Sequence, residues 1–449
     1  MIEPSIFRPY NIRGMYPDQL NEDVAYLVGQ AFAKVTKAIK VAVGRDARLS
    51  GPSLQEATMQ GILDFGVEVA DLGVITTDQL YYASGAKDLG GIQVSASHNP
   101  PEWNGMKFMK KGGFTLTDEE LEEIYSETKR GKKEAAPSQG KKATLHLLPD
   151  YIDFLIQFVD SGSIKPFRVV ANPLNGTAGP VVTALAKKLQ ITLVPLNMEP
   201  DGHFPRGTPD PFVPAMRTET SETVKKEKAD LGISWDNDAD RAVFFDETGA
   251  YIPGAFTAAM LAKHLLQKYP GAKVVSECGI LWPVKEAVEA AGGVHILNRR
   301  GQVFLKQRMR EEGAIYCGEN SGHQYFQDFW YADNGFIPLL HMLTLLSESG
   351  KKLSELVAPL RERYFFTEEI NFPLESPDKL EPLFQQAEET YKDGFLDRIG
   401  GFSATFHDWR FHLHPSDNEP KLRLLVEARN QKLLDAKTAE LTDFVKKFG

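Results

Sequence analysis

Three short polar stretches hold the residue types that phosphoryl chemistry uses. The first is Ser95-Ala96-Ser97-His98-Asn99-Pro100-Pro101, reached from the apolar run Gly91–Val94. Each proline lacks an N–H and restricts the residue before it, so Ser97 is predicted on a fixed loop at a strand end. Lys107 follows the Asn104-Gly105 turn signal. A rigid serine beside a cation suits a phosphate ester. The second stretch places Asp236, Asp238 and Asp240 at alternate positions. Three close anions repel unless a cation holds them, and a hard divalent ion such as Mg²⁺ is the natural one. An ester on Ser97 would lend that ion an oxygen, so Ser97 joins the metal set. Arg13, Lys107 and Arg241 are the candidates to neutralise charge during in-line transfer. The third stretch supplies Glu319 and Ser321, which can bond hydroxyl groups, and His323, a proton-transfer residue or substrate contact. Near the C-terminus, Ser416, Asn418 and Arg423 can grip a second phosphate.

Each stretch also reads as an ordinary polar turn, and two rival chemistries are concrete. Counting Asp236 as position 1, Glu247 falls at position 12 of a calcium loop, but Arg241 stands where that loop needs glycine. Ser97 as a hydrolase nucleophile lacks a G-x-S-x-G elbow, and His98 is a poor base if adjacent side chains diverge on an extended loop. No nucleotide-binding glycine loop is present.

The elements that must carry these loops repeat. Lys40–Val43 reads as a strand, Ser53–Phe65 as a helix and Val67–Leu72 as a strand. Phe167–Ala171, Pro180 to Lys188 and Ile191–Leu196 follow the same grammar. So do Lys273–Ser276, Pro283–Ala291 and Val294–Leu297. Such units predict parallel strands with right-handed crossovers. Each is followed by one more apolar strand (Gly91–Val94, Leu231–Trp235, Ala314–Cys317) that ends in one of the three polar loops. Ligands of parallel sheets gather at the carboxyl ends of strands, so the loops are expected to face one cleft. After about Arg363 the grammar changes. Strand-like Thr405–Leu413 and Leu422–Ala428 precede a final helix. The fold class expected is α/β, with three related mixed α/β domains and a smaller C-terminal α+β domain around a central cleft. The expected boundaries are 1–150, 151–255, 256–365 and 366–449. Thr117 with Glu120 reads as a capping box, Lys129–Ala143 as a solvated loop, and Phe336–Leu346 as a buried helix.

A chain of 449 residues with 42% hydrophobic and 25% charged residues is that of a multidomain globular protein. Its net charge of -10, without a basic cluster interleaved with aromatics, argues against nucleic acid as the partner. No apolar run reaches the ~18 residues of a membrane span, and the N-terminus lacks a signal-peptide layout. Only Cys278 and Cys317 are present, far apart. A cytoplasmic location is expected.

FRPYNIRG, VGRDARLSG, SASHNP with NGMK, DNDADR, GENSGH and SDNEPKLR, in that order, span nearly the whole chain. On these motifs the sequence resembles the α-D-phosphohexomutase family, in its bacterial phosphomannomutase/phosphoglucomutase branch. The resemblance implies Ser97 as a phosphoserine and Asp236, Asp238 and Asp240 as Mg²⁺ ligands. It implies Glu319 and Ser321 as readers of sugar hydroxyls, and the last loop as the holder of the non-reacting phosphate. It implies hexose phosphates as substrates and a hexose 1,6-bisphosphate as intermediate and activator. The candidate catalytic set is Ser97, His98, Lys107, Arg13 and Arg241; Tyr10, Glu319, Ser321, His323, Ser416, Asn418 and Arg423 are the candidate substrate contacts. Mannose phosphates lead, with glucose phosphates beside them. A glucosamine-phosphate mutase and a sugar-phosphate-binding protein with weak turnover are the alternatives. The sequence departs from the family at His414, where arginine is usual, and at Asp417, Asn418 and Gln302. A weakened phosphate clamp is therefore expected, with Arg410 a possible but distant replacement on the face shared with His412 and His414.

Overall fold

The apolar runs and helix signals around residues 40–94 assemble into the first of the chain's sheets. The structure, a computed structural model, describes residues 2–374, 376–416 and 420–447. It divides into two units, Met1–Ile252 with Ser321–Leu353, and Pro253–Asn320 with Ser354–Gly449.

In the first unit, β1 (Asn11–Met15), β2 (Lys40–Arg45), β3 (Glu68–Val74), β4 (Gly90–Val94), β5 (Trp103–Met109) and β6 (Lys142–Thr144) lie in the order β1-β5-β4-β2-β3-β6. The strand β2 runs parallel to β3 and β4, as the predicted crossover requires, whereas β5 is antiparallel to both β4 and β1. Val41, Val43, Val69, Ile92 and Val94 face a core that includes Val28, Phe32 and Ile62. Burying each large apolar side chain there contributes about 1.5–3 kcal/mol. The capping box forms. Thr117 Oγ1 accepts from Glu120 N–H and Glu120 Oε2 from Thr117 N–H, opening the helix Asp118–Arg130.

The next strands are β7 (Arg168–Asn172), β8 (Thr192–Pro195), β9 (Leu231–Trp235), β10 (Ala242–Asp246) and β11 (Tyr251–Ile252), ordered β11-β10-β9-β7-β8. Here β7 is parallel to β8 and β9, and β10 turns back antiparallel to β9. Every residue of β9 and β10 is buried, which fixes the six-residue loop Asp236–Arg241 between two immobile ends.

In the second unit β12 (Lys273–Glu277) pairs in parallel with both β13 (Val294–Asn298) and β14 (Tyr316–Gly318). The first unit holds β15 (Gln324–Phe326) and β16 (Ala332–Asp333), an antiparallel pair. It also holds the predicted buried helix, Ile337–Ser349, whose first N–H groups are capped by Asn334 Oδ1.

The C-terminal sheet is antiparallel throughout. Its strands are β17 (Phe365–Phe366), β18 (Ile370–Pro373), β19 (Phe395–Asp397), β20 (Phe402–Thr405), β21 (Trp409–Pro415) and β22 (Lys421–Ala428). The single strand expected over Thr405–Leu413 is two. Phe406 N–H donates to Trp409 O at 2.9 Å and closes a hairpin there. Phe406 stacks on Trp409 with centroids 4.4 Å apart, so apolar spacing continues through the turn and conceals it. The chain thus builds four mixed α/β domains, three with parallel crossovers and a last, antiparallel one. Among the described residues no helix is long and apolar enough to cross a membrane.

Candidate active site

Ser97 sits in the β4–β5 connection with φ +50°, a left-handed conformation that costs a non-glycine residue about 1 kcal/mol or more. Its surroundings over-determine it. The Ser97 N–H donates to Ser95 Oγ at 2.9 Å, and Ser95 Oγ donates to Asp238 Oδ2 at 2.7 Å. Arg48 Nη2 donates to the carbonyls of Ser97 (2.7 Å) and Asn99 (2.6 Å), and its Nη1 to those of Pro100 (2.6 Å) and Trp103 (2.8 Å). That fork is fully buried and held by Asp46 at 3.2 Å. One rigid guanidinium therefore ties down the whole serine loop.

The aspartate loop is fixed just as tightly. A Cβ on Gly176 would lie 2.5 Å from Asn237 O, and one on Gly335 2.1 Å from Ala239 O. Backbone packs directly on backbone at both positions. Asn237 Nδ2 donates to Asp46 Oδ2 at 2.6 Å, and Thr77 N–H donates to Asp238 O at 2.9 Å.

These two loops bring Ser97 Oγ to 2.7 Å from Asp236 Oδ2, the acceptor of its proton. Lys107 Nζ lies 2.7 Å from Asp238 Oδ2 and 2.6 Å from Asp240 Oδ2. Burial alone would lower the Lys107 pKa, but the two carboxylates override it and hold the amine well above its ordinary value. Asp238 is likewise held far below the usual carboxylate range; burial opposes this, and Lys107, Ser95 and Thr77 prevail. Asp236 behaves oppositely. Burial, with Asp240 and Asp238 beside it, pushes its pKa well up.

Carboxylate oxygens of Asp236, Asp238 and Asp240 lie within 4.8 Å of one another. Asp238 Oδ1 and Asp240 Oδ1 are buried without a hydrogen-bond partner among the described residues. Buried oxygens in that state favour a cation. All-oxygen donors at this spacing fit Mg²⁺.

Other predicted residues gather here. Arg13, on β1, donates from Nη1 to Asn99 Oδ1 at 2.6 Å. Burial and the charge of Arg241 lower its pKa to about 10, which leaves it cationic at neutral pH. His98 corrects the expectation of diverging side chains. Because Ser97 is left-handed rather than extended, His98 Nδ1 comes within 3.2 Å of Ser97 Oγ. Burial, with Arg241 and Arg13, keeps that imidazole neutral. Arg241 donates its backbone N–H to Asp236 Oδ1 at 3.3 Å and its side-chain Nε–H to His323 Nε2 at 2.9 Å. Both ring nitrogens of His323 thus face protein groups, Nδ1 lying 2.8 Å from Asp333 Oδ2. Tyr10 is half-buried just ahead of β1, and Ser321, also half-buried, belongs to this unit.

Glu319 belongs to the second unit, with Ser416, Arg423 and His414. Asn418, with Asp417, lies outside the described residues. Around His414 the cation is Arg300. It pairs with Glu277 at 2.8 Å and with Glu369, and donates from Nη1 to His414 Nε2 at 3.0 Å. Arg423 holds the other oxygen of Glu369 at 3.2 Å. Burial, with Arg300 alongside, drops the His414 pKa to about 3, so this side chain is neutral. Arg410 is no replacement. It is fully buried, paired with Glu427 and bonded to the carbonyls of Gly279 and Cys278.

Sequence reasoning did not single out Arg48, Asp46, Ser95, Thr77, Asn237, Asp333 or Arg300 as functional. The Gly44-Arg45-Asp46-Ala47-Arg48 loop did carry a signal, since it too follows a parallel strand at its carboxyl end.

Three family profiles match, described as phosphoglucomutase/phosphomannomutase alpha/beta/alpha domains I, II and III, over residues 4–135, 149–249 and 253–364. Phosphohexose mutases of Xanthomonas campestris pv. campestris are 39% identical over 447 residues, 98% of this chain and 99% of the relative. A phosphomannomutase of Vibrio cholerae serotype O1 is 38% identical, covering 100% of this chain and 99% of the relative. A crystal structure of a phosphoglucomutase/phosphomannomutase family protein from Burkholderia thailandensis superposes with a TM-score of 0.89 at 28% identity, over 100% of this chain and 98% of that one.

Proposed function

Since the chain belongs to the phosphoglucomutase/phosphomannomutase family and is a phosphohexomutase, we propose that it interconverts mannose 1-phosphate and mannose 6-phosphate. Glucose phosphates would be turned over too. The reading passes through a phosphate ester on Ser97 and a hexose 1,6-bisphosphate. The observation that carries it is Ser97 Oγ, strained and fixed, at 2.7 Å from the edge of a three-aspartate group that Lys107 partly neutralises.

In the first half-reaction a sugar hydroxyl oxygen bonds to phosphorus as the bond to Ser97 Oγ breaks. The hydroxyl proton passes in net to Oγ. The bisphosphate then reorients, Ser97 Oγ bonds to its other phosphorus as the sugar O–P bond breaks, and the serine proton passes in net to the sugar oxygen. His98 Nδ1, 3.2 Å from Ser97 Oγ, gives that oxygen a further polar neighbour that helps to orient it. Arg13 and Arg241 supply permanent charge where the phosphoryl oxygens become more anionic. Asp236, Asp238 and Asp240 would hold Mg²⁺, which when bound would neutralise the phosphoryl group and lend it orientation. Glu319 and Ser321 are assigned to the sugar hydroxyls, and Ser416 and Arg423 to the phosphate that does not react. A cytoplasmic setting belongs to the same reading, in keeping with two buried free cysteines.

The test is conversion of mannose 1-phosphate with Mg²⁺ and a trace of hexose 1,6-bisphosphate, with glucose and glucosamine phosphates run beside it. Turnover of mannose phosphate supports the proposal. Faster turnover of glucosamine phosphate reassigns the substrate, and binding without turnover rejects the enzyme mechanism.

A further inference from the structure

Asp333 is fully buried on β16 and takes no part in the serine or aspartate loops. Burying a carboxylate is costly, and here its Oδ2 lies 2.8 Å from His323 Nδ1. What His323 does with its other nitrogen settles the tautomer. An arginine Nε always carries hydrogen, so the Nε2 that Arg241 Nε approaches at 2.9 Å must present a lone pair. The ring proton is then on Nδ1 and is donated to Asp333. Asp240 Oδ1, the other acid near Nδ1, is farther away at 3.8 Å. Asp240, His323 and Asp333 are close enough to hold an ion. With both ring nitrogens engaged, however, the imidazole has no lone pair to offer one.

We propose that Asp333 is a positioning residue for phosphoryl transfer. It selects the Nδ1-protonated tautomer of His323, the tautomer that accepts from Arg241 Nε and so orients the guanidinium of the residue whose backbone N–H bonds Asp236. In the opposite tautomer two N–H groups face each other, and Arg241 Nε loses this acceptor. The antiparallel bridge between Arg241 and His323 holds their backbones in place in either case. The effect is therefore confined to the side chains. A guanidinium that must meet developing charge in one orientation loses rate when a bond that orients it is lost.

The proposal rests on the reading of Ser97 as the transferring serine. Its test uses Asp333→Leu, which has similar shape and no acceptor, and Asp333→Asn, which offers Nδ1 either an oxygen or an N–H. Expected is a fall in kcat of about 10- to 100-fold for leucine and less for asparagine, the range seen when an orienting partner of a histidine is removed. KM should stay within about twofold, because the interaction is with the transition state. In ¹⁵N-histidine-labelled protein, His323 Nε2 should report as unprotonated in the parent chain and gain protonation in both variants. In a His323→Ala background either substitution should cost little more, since Asp333 then has nothing to act through. An unchanged kcat, an unchanged His323 tautomer, or effects that add to that of His323→Ala would each overturn the proposal. If the leucine variant does not fold, the asparagine variant and its spectrum decide. Turnover by Ser97→Ala would instead end the underlying reading, and would leave the tautomer result standing by itself.

Discussion

Replacing Lys107 by methionine keeps most of the side-chain volume and removes one buried charge. At 2.7 and 2.6 Å from Asp238 and Asp240, each pairing is worth about 6 kcal/mol gross at an effective dielectric of ~20. Desolvation offsets much of that. Deleting one partner of a buried pair costs about 3–5 kcal/mol net, because the other charge is left uncompensated. For a unit of this size the cost corresponds to a fall in Tm of about 6–10 °C. Two further responses separate electrostatics from packing. In the parent chain the depressed pKa of Asp238 contributes stability that is present above the unfolded carboxylate range and is lost as pH falls through the folded value. In Lys107→Met burial of Asp238 is no longer offset by the amine and raises its pKa instead, so the variant's deficit shrinks as pH is lowered from 8 to 5. Mg²⁺ should also raise the variant's Tm more than the parent's, since the ion meets one more unneutralised negative charge. Differential scanning calorimetry at two pH values, with and without Mg²⁺, measures all three. A deficit equal at both pH values and indifferent to Mg²⁺ would refute the reasoning and leave Lys107 as packing.

Arg48→Lys keeps the charge but loses the fork that binds four carbonyls; kcat should fall while the serine loop becomes more open to limited proteolysis, and unchanged kinetics would contradict that. Ser97→Ala should abolish turnover while the protein still melts cooperatively, at a Tm a few degrees lower because the buried bond to Asp236 is lost; phosphorus labelling of the protein by a hexose 1,6-bisphosphate should vanish with it. His414→Arg brings a second guanidinium against Arg300, whose Nη1 lies 3.0 Å from His414 Nε2. It should destabilise the second unit by about 1–3 kcal/mol. A lower KM without loss of stability would instead restore the view that this end of the sheet lacks a cation.

The parts visible in the sequence are those written in local order. Parallel crossovers followed from apolar runs, helix signals and glycine stops. The meeting of Ser97, Lys107 and the three aspartates was expected from residue type and spacing. What stayed hidden was set by distance along the chain. Arg48 reaches the serine loop from about fifty residues away, and Asp333 bonds His323, which in turn bonds Arg241. Arg300 was passed over because arginines are commonplace, and its burial against Glu277 and Glu369 is a tertiary fact. The hairpin at Phe406–Trp409 was missed because its turn is aromatic. His98 was misjudged because a left-handed serine was not foreseen; proline-rich flanks restrict a loop but do not state its handedness.

The central claim is transfer through Ser97, and one measurement addresses it most directly. Purified protein is incubated with mannose 1-phosphate, Mg²⁺ and a trace of hexose 1,6-bisphosphate, and mannose 6-phosphate is followed for the parent chain and for Ser97→Ala. The account predicts product with the parent chain, its loss when the metal is chelated, and none with the variant. Equal product from Ser97→Ala would contradict it.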